Sequence, residues 1–240
     1  TVWNALTYDP KLDLLFVGVG NGDPWDRDVR SEGKGDNLFL ASILALRADT
    51  GEYVWHYQVN PGEQWDYKAT MDIVMATLEI EGRDRDVLLQ APTNGFFYVM
   101  DRATGELISA EKYEKATWAE RIDMKTGRPV EAPGVRVKSG ERKLIYPSTY
   151  GAHNWQPMSY NPDLGLVFIP TIRQGAYHSK PPTYVARDNF FTIGIITELT
   201  NTEPLDGTGA LLAWDPVLQK SRWKFENLPI WNGGTLSTAG

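Results

Sequence analysis

Ala45-Leu46-Arg47-Ala48-Asp49-Thr50-Gly51-Glu52-Tyr53-Val54-Trp55 reads as a strand, a tight turn and a second strand. Asp in such a turn accepts hydrogen bonds from nearby backbone N–H groups, and Gly adopts the positive φ that the turn requires. Val99-Met100-Asp101-Arg102-Ala103-Thr104-Gly105-Glu106-Leu107-Ile108 repeats the pattern, and Ala213-Trp214-Asp215-Pro216 through Trp223 is a third copy. Ala45 to Trp55 and Ala213 to Trp223 share a spacing of ten. The closing Trp55 and Trp223 have the size to pack between neighbouring sheets, a structural role.

A second unit also recurs. Tyr8-Asp9-Pro10-Lys11-Leu12-Asp13-Leu14-Leu15-Phe16-Val17-Gly18 is matched by Tyr160-Asn161-Pro162-Asp163-Leu164-Gly165-Leu166-Val167-Phe168-Ile169-Pro170, 152 residues later. That offset is three periods of about 50 residues, and short strands repeating at this period describe an all-β chain folded as a β-propeller. At about 50 residues per blade, the 240 residues make about five blades. No long amphipathic helix is predicted. Tyr113 to Leu144 is polar and irregular and reads as an insertion between strands, and Ile172 to Glu203 reads as a second. Long loops of this kind lie over one face of a propeller and shape a site. The repeats by themselves specify a fold and no chemistry.

Composition narrows the classes. With 42% hydrophobic and 23% charged residues the chain has the balance of a globular domain with a sizeable core. A net charge of −7 without any Lys/Arg run argues against nucleic acid as a partner. No stretch of about 18 apolar residues is present to span a membrane, and Thr1 opens directly into strand-like sequence without a signal peptide. Absence of cysteine excludes a disulfide, a thiolate zinc site and a cysteine nucleophile within these residues. His56, His153 and His178 lack metal-ligand spacing.

Several short motifs, weak singly, are specific in their order. They are Thr1-Val2-Trp3-Asn4, Gly18-Val19-Gly20-Asn21-Gly22-Asp23-Pro24-Trp25, Gly35-Asp36-Asn37-Leu38-Phe39 and Trp65-Asp66-Tyr67. After them come Gln90-Ala91-Pro92-Thr93-Asn94-Gly95-Phe96-Phe97-Tyr98-Val99, Gly151-Ala152-His153-Asn154-Trp155 and Trp231-Asn232-Gly233-Gly234-Thr235. The chain resembles, over nearly its whole length, the pyrroloquinoline quinone (PQQ) dependent alcohol dehydrogenases, and most of all the branch that includes quinohaemoprotein ethanol dehydrogenases.

The resemblance implies an eight-bladed propeller with PQQ near its axis beside a metal ion. Eight blades need roughly 400 residues, so residues 1–240 are expected to be part of a single quinoprotein propeller domain, truncated at both ends. Trp3 matches the tryptophan whose ring lies flat against the quinone. Asn21 matches an amide-oxygen ligand to calcium, a hard cation that takes oxygen donors. Asp66 matches the base that accepts the alcohol proton while hydride passes to the quinone and the metal polarises its carbonyl, and it also reaches the metal. Lys68 stands where lanthanide-dependent relatives carry an extra carboxylate. This favours calcium over a lanthanide, and Lys68 is expected to point away from the metal. Thr93 stands where relatives place Lys or Arg against the quinone oxygens, and can donate a hydrogen bond there but brings no charge. Asn154 and Trp155 match a pair near the quinone, and Trp231 matches a tryptophan at its edge. His153 reads as a residue just behind the site or a structural one, and Asn94 as a turn residue.

The implied activity is oxidation of primary or related alcohols to aldehydes, with electrons passed to a cytochrome-type acceptor in the periplasm. Haem c attachment would need Cys-x-x-Cys-His, so any haem lies outside these residues. Two other readings compete. One is a non-catalytic propeller scaffold that binds protein partners in the cell envelope, which the loss of the cation at 93 would favour. The other is a sugar dehydrogenase with the same cofactor, less in keeping with Trp65-Asp66-Tyr67 and His153-Asn154-Trp155.

Overall fold

A computed structural model describes residues 1–4, 6–183 and 194–238. The first blade comprises β1 (Thr7–Asp9), β2 (Leu14–Gly18), β3 (Ser42–Arg47) and β4 (Tyr53–Gln58), hydrogen-bonded in that order and antiparallel throughout. A five-residue helix, α1 (Arg27–Ser31), lies in the β2–β3 connection, its N-terminus capped by the Asp26 side chain. The second blade repeats the meander with β5 (Val74–Ile80), β6 (Arg83–Gln90), β7 (Phe96–Asp101) and β8 (Leu107–Lys112). A hairpin of β9 (Ala119–Asp123) and β10 (Arg128–Glu131) follows, then β11 (Arg142–Ile145). The third blade opens with β12 (Ser159–Asn161) and β13 (Leu166–Arg173). The chain leaves it for β14 (Ala176–Ser179) and β15 (Ile196–Leu199), which join β11 in a side sheet. It returns with β16 (Thr208–Asp215) and β17 (Lys220–Pro229).

The quoted repeats are the outer hairpins of the three blades. Ala45 pairs with Trp55 and Ala213 with Trp223, and Val99 at the same place pairs with Ser109. Each hairpin carries a register shift one residue further on, at Ala45/Leu46, Val99/Met100 and Ala213/Trp214, so a bulge is part of the repeat. Asp101 Oδ1 accepts from the N–H groups of Ala103 and Thr104, and Asp215 Oδ1 from those of Val217 and Leu218. The second unit also recurs as read: Asp9 and Asn161 cap the β1–β2 and β12–β13 turns, with Asp13 and Gly165 at positive φ.

Alternation along the inner strands builds two cores. Phe96, Tyr98 and Met100 join Phe16, Ile43 and Trp55 between the first and second blades, while Phe97 and Val99 join Val167, Ile169 and Trp214 between the second and third. Phe96-Phe97-Tyr98-Val99-Met100 is an unbroken apolar run because both faces of its sheet are covered.

The blade count differs from the expectation of about five. Among the described residues there are three four-stranded sheets, with a two-stranded and a three-stranded sheet beside them. Dividing length by period overcounts because the connections at 59–73, 113–158 and 174–207 consume residues without adding blades. The insertion at 113–144 carries β9, β10 and part of β11, and residues 184–193 of the second lie outside the described residues. No helix of the described residues is long and apolar enough to cross a membrane.

Antiparallel order sorts the loops. Tight turns at 10–13, 48–52, 102–106, 162–165 and 216–219 lie on one face. The segments before β1 and after β2, β4, β6, β8, β13 and β17 all emerge on the other, and every candidate site residue lies in one of these.

Candidate functional site

Residues 62–70 form the centre of this face. Trp65 and Tyr67 are fully buried, their rings 5.8 Å apart, and Trp118 packs 5.5 Å from Trp65 and donates its indole N–H to Asn94 O. Tyr67 hydroxyl donates to Pro147 O. The fully buried Glu63 carboxylate accepts from the backbone N–H groups of both Trp65 and Tyr67. With both neighbours drawn into the core, Asp66 is turned the opposite way and takes φ +66, a conformation that Asp tolerates better than most residues. Arg136 covers this loop, donating to Gly62 O at 2.7 Å with its guanidinium 4.9 Å from the Trp65 ring centroid.

Three expected residues converge here. Ala69 N–H donates to Val19 O at 3.1 Å, and a Cβ on Gly18 would fall 2.0 Å from Ala69 O, so only glycine lets β2 run this close to the Asp66 loop. Asn21 follows two residues after Val19. Gly20 N–H donates to Thr1 O at 2.7 Å, which brings the Trp3 segment to the same strand end. Trp3 is 45% exposed, a large ring left without full cover. Asn21 Nδ2 makes a 3.4 Å bond to Gly22 O, which leaves the amide oxygen for a ligand.

Burial pushes the Asp66 carboxyl above its ordinary range, and the adjacent Lys68 ammonium pulls it back. Lys68 Nζ lies 3.0 Å from Asp66 Oδ2 and 2.9 Å from Asp66 O. This corrects the expectation that Lys68 points away: its backbone is clamped, and the nearest acceptors both belong to Asp66. Glu63 has a carboxyl pushed up to about 7, by burial first and by the charge of Asp66 second.

The remaining candidates are placed less directly. Thr93 is fully buried, and its hydroxyl is spent on Lys68, accepting from the backbone N–H at 2.8 Å and donating to the carbonyl at 3.1 Å. It is a strut beneath the site rather than a group facing a ligand. Ala152 N–H donates to Thr93 O, tying residues 151–155 to the same place. The Asn154 amide is engaged within its own loop, with Tyr150 O and Trp155 N–H. Trp155 and Trp231 are 52% and 44% exposed, and Trp231 lies 5.1 Å from Tyr150. Thr235 N–H donates to Pro157 O, so the Trp231 segment docks beside Trp155. His153 is buried with both ring nitrogens against carbonyls, of Ala91 and Gln156, which fits the structural one of its two readings. Asn94 caps its turn through Phe96 N–H, also as read.

Sequence reasoning missed Glu63, whose signal was an acid two and four residues before two aromatic residues, and Arg136, which gave no local signal. Among the described residues no cluster of three or more His, Cys, Asp or Glu is formed. Asn21 and Asp66 offer two oxygen donors of the roughly six to eight that calcium takes, so they suit one side of such an ion. The half-exposed rings of Trp3, Trp155 and Trp231 suit a flat aromatic ligand.

Residues 1–116 match the family described as PQQ, glucose/ethanol/alcohol dehydrogenase, beta-propeller domain. Quinohemoprotein alcohol dehydrogenase ADH IIB of Pseudomonas putida is 56% identical over 241 residues, covering 100% of this chain and 35% of that protein. The solved structure of quinohemoprotein alcohol dehydrogenase ADHIIG of Pseudomonas putida HK5 superposes with a TM-score of 0.92 at 50% identity, over 99% of this chain and 36% of that one. A europium-containing methanol dehydrogenase superposes with a TM-score of 0.90 at 32% identity, over 97% and 41%. The chain thus spans about a third of the length of the relatives it matches.

Proposed function

We infer that the chain, which carries the sequence and the blades of the PQQ-dependent alcohol dehydrogenase propeller, forms the quinone- and metal-facing wall of an enzyme that oxidises alcohols. The observation that carries this reading is the convergence of Trp3, Asn21 and Asp66 at the loop end of β2. A propeller scaffold has no need of these three together.

In this reading Trp3 is the floor for the quinone ring, and Asn21 and Asp66 give oxygens to calcium. Bound PQQ would supply the electrophile that accepts hydride from the alcohol carbon. Asp66 would take the hydroxyl proton on Oδ1 or Oδ2, leaving an aldehyde. Its positive φ and the buried Trp65 and Tyr67 on either side fix the direction in which the carboxylate is offered. Burial excludes water from one side of that carboxylate and raises its proton affinity toward that of a working base. Trp155 and Trp231 would border the cofactor, with Thr93 and Asn154 bracing the loops behind it. Calcium is favoured over a lanthanide because Lys68 adds positive charge where a trivalent ion would need more carboxylate. A periplasmic location and a cytochrome-type acceptor complete the proposal.

The test is PQQ binding by the full-length protein in calcium, with dye-linked ethanol oxidation by wild type and Asp66→Asn. Binding and turnover in the wild type, with turnover lost in the variant, support the reading. Absence of PQQ binding at saturating calcium overturns it.

A further inference from the structure

Lys68 is only 8% exposed, yet it is not stored in an apolar wall. Lysine is rarely buried unless its charge is paired. Both partners of its ammonium are atoms of Asp66, the carboxylate at 3.0 Å and the main-chain carbonyl at 2.9 Å. An ammonium has three donors, and among the described residues the third has no acceptor.

Its backbone is held with equal care. The Thr93 hydroxyl accepts from Lys68 N–H at 2.8 Å and donates to Lys68 O at 3.1 Å, and Thr93 N–H approaches the same carbonyl at 3.4 Å. A hydroxyl both accepts and donates through one atom, whereas an ammonium or guanidinium at position 93 could only donate. The Thr93 side chain is pressed in turn by Gly151, where a Cβ would lie 2.5 Å from Thr93 Cβ. Thr93 thus fixes where Lys68 leaves the chain, and Lys68 fixes Asp66.

We propose that Lys68 is a further functional group of this site, holding the Asp66 carboxylate with one N–H and donating another to an oxygen of the bound quinone, with Thr93 as its seat. The proposal rests on the quinone-binding reading above. A quinone that carries carboxylates is drawn to an ammonium in a partly dry site, where charge-assisted hydrogen bonds are strongest. The pair Lys68–Thr93 therefore puts positive charge beside Asp66 although position 93 itself is neutral.

The experiment titrates PQQ into the full-length protein at saturating calcium, reading tryptophan quenching and the absorption band of the bound quinone. Lys68→Met is expected to weaken binding by about ten-fold or more, the scale of one lost charge-assisted hydrogen bond, and to shift the band. Lys68→Arg should retain most of both. Thr93→Val should move both readouts in the Lys68→Met direction, and Thr93→Ser should not. Lys68→Gln, uncharged and one atom shorter than lysine, decides the matter if Lys68→Met fails to fold. Wild-type affinity and an unshifted band in the folded, uncharged Lys68 variants overturn this proposal and leave the quinone reading standing. No PQQ binding by the wild type overturns both.

Discussion

The ring of Trp55 fills the space in which Gly105 would carry a side chain: a Cβ there would lie 2.5 Å from Trp55 Cε3. Trp55 closes the outer hairpin of the first blade, and Gly105 turns that of the second, so the contact joins the two blades. Gly51, in the equivalent turn of the first blade, has the same φ of +74 with nothing among the described residues within 4 Å of a Cβ. Gly51→Ala is expected to cost about 1 kcal/mol, the left-handed penalty alone. Gly105→Ala adds overpacking of about 1–3 kcal/mol. Urea unfolding of the two variants measures the difference, and equal losses would show that Trp55 yields freely.

Glu63 organises the Asp66 loop through two main-chain N–H groups, and its substitutions should separate that duty from its charge. Glu63→Ala leaves both donors unpaired in a buried place, at about 1–3 kcal/mol each. Glu63→Gln keeps an acceptor. The folded carboxyl is pushed up to about 7, above its unfolded value, so its contribution to stability is full below about 4.5 and is lost as pH rises through 7. The Gln variant should therefore gain on wild type between pH 5 and pH 8. A gap in unfolding midpoint that does not move over that range would refute a buried charge at Glu63.

His178 on β14 is 1% exposed, neither ring nitrogen has a hydrogen-bond partner among the described residues, and burial pushes it down to about 4. Its folded value lies below the unfolded one, so the stability it carries is present above about 6.5 and is lost as pH falls through 4. The side sheet of β11, β14 and β15 should loosen in mild acid. His178→Leu should flatten the fall of Tm between pH 6.5 and pH 4, and an identical acid limb in the variant would exclude His178 as its source.

Metal addition provides a fourth check, on Asn21. A ligand that binds only the folded protein raises its Tm. Calcium with PQQ should raise the Tm of the full-length protein, and Asn21→Ala should remove much of that increment. An undiminished increment would strike Asn21 from the ligand set.

Local chemistry was legible in the chain. The turn at Gly105, the cap at Asp101, and the spacing of Ala45 and Trp55 each need only a few consecutive residues, and the structure realises each as read. The number of four-stranded sheets was not, because a period divides length evenly whereas the insertions do not. Trp3, Asn21 and Asp66 could be named from motifs, but not the backbone bond between Val19 and Ala69 that brings their loops together.

Sequence by itself determined the propeller hairpins and the set of candidate residues, since turn geometry and strand alternation are properties of neighbouring residues. Tertiary structure alone decided which side chains face the site. Lys68 turned onto Asp66, and Thr93 turned away to hold Lys68, because hydrogen bonds between a blade and the loop beside it fix each side chain's direction. Thr93 and Lys68 stand 25 residues apart in the chain, beyond the reach of any local pattern.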